Sequence, residues 1–449
     1  LFAVAWGGNE FTPLLVMYRA DGQMSALTVD LLLGAYVLGI VPALLVGGAL
    51  SDRHGRRPLL VWSPLFGILG SAVLAAGAGQ PLVLAAGRIC SGIALGLVMA
   101  VGTSWVKELS TDAPGSGARR ASLSLTAGFG MGAGVAASLA QWGPWHAQLP
   151  YLVNIVLTAV AGLVLLTAPE TRARATDPGP LRHDLRIPAS GHRRFLLVVA
   201  PTAPWVFGTA VSAYAILPGL LAAQVPGLAV GFSGLMCLVA LGTGVGVQLA
   251  GRGLDNPRSA RGVAVALAVA VPGMVLAAVT ATTRSTLVGL VAAAVLGAAY
   301  GLLLLGGLQE VQRIATADDL AGLTAVYYSL SYLGFFVPAV LAALDPLVGY
   351  PTLFGLGAVL AAACLALVLA NRHRALDSGD GSYVLTGQRP QARTGGPAGD
   401  RATPGQAQPS SWRRSSSIPK WWAISWTTVT ATSSATSSAS AQIARVGRR

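Results

Sequence analysis

Ten residues, Gly48-Ala49-Leu50-Ser51-Asp52-Arg53-His54-Gly55-Arg56-Arg57, separate two long apolar runs, about Leu27–Leu50 and Pro58–Ala78. A bilayer takes about 20 apolar residues as helix, and each run meets that length. The decapeptide is therefore a tight turn between two membrane helices. Its arginines do not belong in hydrocarbon, so the turn sits at a membrane surface, and the excess of basic residues marks that surface as cytoplasmic. Gly48 is expected to let two backbones approach closely, and Gly55 to take a positive φ in the turn. Asp52 ends its helix where the dipole disfavours an anion, so it needs an outside partner. Arg56 and Arg57 suit carboxylates or phosphate headgroups.

The same alternation continues along the chain. Helix 1 runs from Leu1 to about Met17, and residue 1 is not Met, so the natural N-terminus is expected upstream. Further apolar runs lie at about Pro81–Val106, Ala121–Gln141, Pro150–Ala168, Phe195–Leu221, Leu228–Leu249, Gly262–Thr280, Ser285–Gln309, Leu320–Leu344 and Tyr350–Ala370. With the first three this makes an all-α polytopic membrane protein of twelve transmembrane helices, in two six-helix pseudo-symmetric halves. The expected organisation is residues 1–170, a cytoplasmic linker at 171–194, residues 195–370, and a disordered cytoplasmic tail at 371–449, rich in Ser, Thr, Gly and Pro. A weak internal echo supports the halves: Gly251 and Asp255 keep the spacing of Gly48 and Asp52.

Hydrophobic residues make up 53% of the chain and charged ones only 10%, which excludes an ordinary soluble domain of this length. The net charge of +13 suggests nucleic acid until the positions are read. Of 30 Lys and Arg, 11 lie in the tail, Arg88 lies within helix 4, and Arg19 and Arg284 occupy the opposite loops; the other 16 share the side of the Arg-rich turn. That is a positive-inside pattern, with a lipid bilayer rather than nucleic acid as partner. Cys90, Cys237 and Cys364 lie in apolar runs without metal-ligand spacing, so neither a metal nor a cofactor is expected.

Ionisable groups inside membrane helices are costly and mark function. Glu10, beside Asn9, is in mid-helix 1; Arg88 is in helix 4; Asp30 is near the end of helix 2 opposite the arginines; Glu310 is near the inner end of helix 10. At 1.5 Å per residue, Glu10 and Arg88 both lie roughly 10–14 Å deep, so they can pair if their helices face each other. Glu10, Arg88 and Asp30 are the proton-coupling candidates, although Glu10 also suits a structural hydrogen bond, and Asp30 and Glu310 can reach interfacial water. Asn9, Trp205, Tyr214, Tyr300 and Glu310 are the candidates for a substrate cavity.

The turn resembles the signature loop between helices 2 and 3 of the major facilitator superfamily: Gly48, Asp52-Arg53 and Gly55-Arg56-Arg57 all match. Arg88 followed by Gly92 is similar to the helix 4 motif linked to proton coupling. Gly128, Gly130, Gly132 and Gly134 resemble the helix 5 motif of the drug/proton antiporter branch, but Ala133 stands where Pro is expected. The resemblance implies a secondary transporter, not an enzyme, in the plasma membrane and working as a monomer. It implies proton-coupled antiport and efflux of a small organic compound, with helices 1, 4, 7 and 10 lining the cavity. Gly48, Asp52, Arg53, Gly55, Arg56 and Arg57 would form a conformational latch. A facilitator or importer of a metabolite is the alternative within transport, and a non-transporting receptor or scaffold the alternative outside it.

Overall fold

The structure, a computed structural model, describes residues 1–21, 24–77, 79–110, 116–174, 187–250, 260–316 and 319–371, which fall within one compact unit. The tail, the echo at Gly251 and Asp255, and Arg182 and Arg186 of the linker lie outside the described residues. All regular structure among the described residues is helical. Among the described residues, ten helices are long and apolar enough to cross a membrane: α2 (Ala26–His54), α3 (Arg56–Ala76), α4 (Pro81–Leu109), α5 (Ser116–Trp142), α7 (Phe195–Gln224), α8 (Ala229–Ala250), α9 (Arg261–Thr283), α10 (Thr286–Ile314), α11 (Leu320–Val348) and α12 (Tyr350–Asn371). A shorter apolar helix, α6 (Leu149–Leu165), and the segmented α1 (residues 2–20) complete twelve.

α1 is not one continuous rod. It comprises Phe2–Asn9, a 3-10 turn at Thr12–Leu14 and Leu15–Ala20, so the backbone breaks beside Glu10 and Phe11. Pro13 opens the second segment without the amide that a continuing α-helix would use. Irregular backbone at membrane depth is tolerated where it is buried in protein, and α1 is buried here.

The helix pairing carries the internal symmetry that the sequence only hinted at. In the first six helices α2 packs on α4, α3 on α4 and α6, and α1 on α5. In the last six the same pairs recur six helices on: α8 on α10, α9 on α10 and α12, and α7 on α11. The contacts between the groups obey the same rule, since α5 meets α8 and α2 meets α11. Small residues make the central crossings in both. Gly39 lies against the Ile89 carbonyl and Gly92 against that of Tyr36, while Gly297 lies against the Ala240 carbonyl and Gly301 against that of Gly244. Without a Cβ, backbones come close enough for dispersion to hold helices together where lipid removes the hydrophobic drive. The outward faces are apolar: Leu82, Leu287 and Leu347 are among the most exposed side chains.

Two sequence expectations change at the Arg-rich turn. α2 continues through Asp52 and Arg53 to His54, so the turn contracts to Gly55, whose φ of 98° a residue with a Cβ rarely adopts. Gly48 makes no close approach, with nothing within 4 Å of where its Cβ would stand. The neighbouring glycine faces the packed side instead, Gly47 lying 3.3 Å from Ala100 by the same measure. Consecutive helical residues point about 100° apart, which separates the two.

Candidate functional site

Three polar assemblies are strung along the membrane axis. Relative to the Arg-rich turn they lie near it, in the middle, and at the far end.

Near the turn, Arg56 is the hub. Its Nη1 donates to Ser51 Oγ (2.7 Å) and reaches Asp52 Oδ1 (2.9 Å); Nη2 and Nε reach Glu108 Oε1 at 2.8 and 3.1 Å. Arg172 lies 3.6 Å from Asp52, so the partner that Asp52 required comes from both α3 and the segment after α6. Glu170 accepts from the backbone amides of Arg56 (3.0 Å), Arg57 (2.8 Å), Thr171 and Arg172 (both 2.9 Å). Partial burial raises the Glu170 carboxyl, but these amides outweigh it and hold it below the usual carboxylate range. A carboxylate at the start of α3 also suits that helix dipole. Glu108 and Glu170 were missed in the sequence; their signal was acidic residues at the ends of α4 and α6, on the side where basic residues collect.

Glu310 does not reach water as expected. It is buried and pairs with Arg194 (2.5 Å) and Arg313. This ties the start of α7 to the end of α10 and keeps Glu310 away from the middle of the membrane.

The middle assembly surrounds the break in α1. Glu10 is fully buried; its Oε1 accepts from Ser71 Oγ of α3 (3.1 Å) and Asn154 Nδ2 of α6 (3.4 Å), while Oε2 has no partner among the described residues. Asn154 and Ser71 are also bonded to each other at 2.8 Å. Asn9 donates to the Phe129 carbonyl of α5 (3.1 Å) and accepts from Thr12 (2.7 Å), bridging the two segments of the helix. Arg88 is fully buried and none of its three guanidinium nitrogens has a hydrogen-bond partner among the described residues. It forms no ion pair with Glu10, although the two groups lie within electrostatic reach. Its Cζ lies instead over two aromatic faces, 4.4 Å from the Tyr36 centroid and 4.7 Å from that of Phe11. Equal depth thus brought Glu10 and Arg88 into one assembly without pairing them, because neutral donors on α3 and α6 claim the carboxylate.

Tyr36 links this assembly to the second group of helices. It stands edge-on to Tyr332 (6.3 Å) and tilted to Phe335 (6.1 Å), both of α11. Phe207 of α7 stacks on Tyr332 at 4.4 Å and meets Tyr300 of α10 at 5.8 Å. Of the sequence candidates, Tyr300 joins this aromatic cluster directly, Trp205 packs at its border, and Tyr214 is buried in a π-turn of α7, Ser212–Ile216. Tyr36, Phe11, Phe207, Tyr332 and Phe335 carried no distinguishing pattern in the sequence; only helix facing selects them.

At the far end, Asp30 is buried and paired with Arg19, apart from Glu10 and Arg88. Arg19 also donates to the Ala215 carbonyl of α7 (3.2 Å). Gln141 at the end of α5 donates to the Gly227 carbonyl (2.7 Å) and accepts from the Gly231 amide (2.9 Å). Side chains of the first six helices here grip main-chain groups of the last six.

A profile of the Major Facilitator Superfamily matches residues 1–338. Over 107 residues the chain is 36% identical to the 3-(3-hydroxy-phenyl)propionate transporter of Escherichia coli (strain K12), a match covering 23% of this chain and 25% of that transporter. Among solved structures, the human organic anion transporter MFSD10 (TETRAN) is similar over 82% of this chain and 97% of its own, at 21% identity and a TM-score of 0.58. The xylose transporter XylE from E. coli, in a partially occluded inward open conformation, is similar over 82% and 95%, at 14% identity and a TM-score of 0.62. These solved structures share the fold. The chain belongs to the Major Facilitator Superfamily, whose members are membrane transporters rather than enzymes, and its apolar helices make it a polytopic membrane protein.

Proposed function

We propose that the protein is a proton-coupled carrier of small organic acids that works by alternating access in the plasma membrane, as a monomer, with the Arg-rich turn, linker and tail cytoplasmic. The single observation that carries this is Arg88: a buried guanidinium set against aromatic faces, none of whose nitrogens has a hydrogen-bond partner among the described residues. A carboxylate is the group such a guanidinium binds best. Two aromatic rings beside the guanidinium favour an acid with a ring, in keeping with the hydroxyphenylpropionate transporter named above. Residues 1–170 and 195–370 would rock about the middle assembly, and the Asp52–Arg56 network would act as the latch.

Glu10 is the proposed proton site. Charge balance favours symport: with Glu10 protonated and an anion on Arg88, the assembly is neutral and crosses the low-dielectric interior at least cost. Efflux by proton antiport is the second reading, favoured by the likeness of Arg88 with Gly92, and of the α5 glycines, to the drug/proton antiporters. Proteoliposomes with an imposed pH gradient separate the two by the direction in which acid accumulates. Glu10→Gln should abolish gradient-driven accumulation while sparing counterflow exchange, which moves no net proton. If Glu10→Gln still concentrates substrate, Glu10 is structural and coupling lies elsewhere, with Asp30 next in line; if wild type does not respond to the gradient at all, the proton-coupled reading fails.

A further inference from the structure

Arg88 poses a specific physical problem. Its guanidinium is fully buried, and the carboxyl group of Glu10 lies within electrostatic reach. The ordinary outcome is an ion pair, which would occupy the very donors a substrate needs. No such pair forms, and the guanidinium plane is flanked by Phe11 and Tyr36 at 4.7 and 4.4 Å. A π face stabilises the charge through its quadrupole while leaving the N–H edges untouched. The phenol of Tyr36 is itself buried and its Oη has no partner among the described residues, so the ring, not the hydroxyl, makes its contacts.

We propose that Tyr36 and Phe11 are positioning residues, a π clamp that keeps Arg88 off Glu10 with its donors vacant for an incoming carboxylate. This rests on the organic-acid reading above and deepens it. The anion then displaces no salt bridge on entry and leaves none to re-form on exit, which suits a carrier that must release what it binds. Other groups facing Arg88 are the neutral phenols Tyr18 and Tyr151, hydrogen-bonded to each other at 2.9 Å, so Glu10, in the state before it takes up its proton, is the competing anion. Tyr36 is in turn braced by Tyr332 and Phe335 of α11. Separation of α2 from α11 therefore frees one jaw, and affinity for the anion falls when the halves part.

The test compares carboxylates with their neutral amides: benzoate, phenylacetate and 3-phenylpropionate against benzamide, phenylacetamide and 3-phenylpropionamide, by competition in counterflow exchange. Wild type should prefer each acid. Tyr36→Leu removes one jaw and lets Arg88 swing to Glu10, so the preference for acid over amide should fall about tenfold to thirtyfold, the worth of a desolvated cation–π contact. Tyr36→Phe keeps the ring and should keep the preference. Tyr36→Leu with Glu10→Gln removes the competitor and should restore it. A purely structural role for Tyr36 would weaken acid and amide alike, leaving the ratio unchanged and overturning the clamp. So would loss of the ratio in Tyr36→Phe, or failure of Glu10→Gln to restore it. No preference in wild type, or no interaction with any of the six probes, refutes the organic-acid reading itself and the clamp with it.

Discussion

Gly92 is the residue whose loss should do most damage for its size. It lies one turn from Arg88 on α4, about 6 Å along the axis. A Cβ there would overlap the Tyr36 carbonyl oxygen and stand 3.0 Å from the Ile40 amide nitrogen and 3.2 Å from Gly39 Cα. All three obstacles are backbone, so no side-chain rotation relieves them, and α2 and α4 must part by about 1 Å to restore normal contact distances. Overpacking of this kind costs about 1–3 kcal/mol, and the rigid obstacle puts Gly92→Ala at the upper end. The same displacement slides Arg88 relative to the Tyr36 ring, because Tyr36 contributes its carbonyl to the crossing and its side chain to the cation. Stability and transport should therefore fall together. By the repeat, Gly301→Ala meets the Gly244 carbonyl and should cost about as much in stability. Gly130→Ala and Gly242→Ala have open space and are the controls, expected to be neutral or stabilising by up to about 1 kcal/mol as alanine replaces glycine in a helix. Thermal unfolding in detergent, with exchange transport in parallel, makes the measurement. If Gly92→Ala unfolds at the same temperature as Gly130→Ala, the close crossing does not govern packing here and the argument fails.

Three further outcomes are expected. Arg194→Met should destabilise the protein by roughly 3 kcal/mol in chemical unfolding, since it strips a buried carboxylate of its 2.5 Å partner, whereas Arg194→Met with Glu310→Leu should recover most of the loss. Asp52→Asn should insert normally but transport poorly, because Arg56 and Arg172 lose the charge they share; wild-type turnover would show that the network is not a latch. Glu170 has a folded pKa below its unfolded value of about 4.3, so its contribution is whole above that value and is lost as pH falls through the folded pKa. Acid should accordingly speed hydrogen exchange at the Arg56, Arg57 and Arg172 amides beyond its intrinsic pH dependence, and Glu170→Gln should abolish that extra sensitivity.

The helices were legible because hydrophobic length is a one-dimensional signal, and the turn at Gly55 because an Asp and three Arg interrupt it abruptly. The break in α1 was not, since Thr12-Pro13 at a helix start and Thr12-Pro13 at a mid-membrane break read alike. Glu10 and Arg88 could be assigned a depth, which fixes one coordinate, but not a facing, which depends on rotation about two helix axes. That missing angle is why pairing stayed conditional on the helices facing each other, and why the Ser71 and Asn154 contacts to Glu10 and the two rings over Arg88 were not foreseen. Asp30 and Glu310 misled in the same way: proximity to a helix end suggests water, but Arg19 and Arg194 come from other helices to meet them. Gly48 differed from Gly47 by one helical step, a distinction no composition encodes.

At the far end, what Arg19 and Gln141 hold is main chain: the Ala215 and Gly227 carbonyls and the Gly231 amide. The fastening is therefore genetically one-sided. Apart from proline at 231, which lacks the amide hydrogen, no replacement at the three gripped positions deletes the group being gripped, whereas a single change at Arg19 or Gln141 does. A selection for variants that gape at this end should recover many different replacements at these two positions in the first six helices, while hits on the other side are confined to changes that act on the backbone, such as a side chain at Gly227 with its φ of 74° or a proline at 231. Compensating changes from the other group would have to move backbone, as a proline or an insertion does. The closure can then drift in sequence on one side while holding its geometry, and a transplanted second half would still fit the clasp of the first.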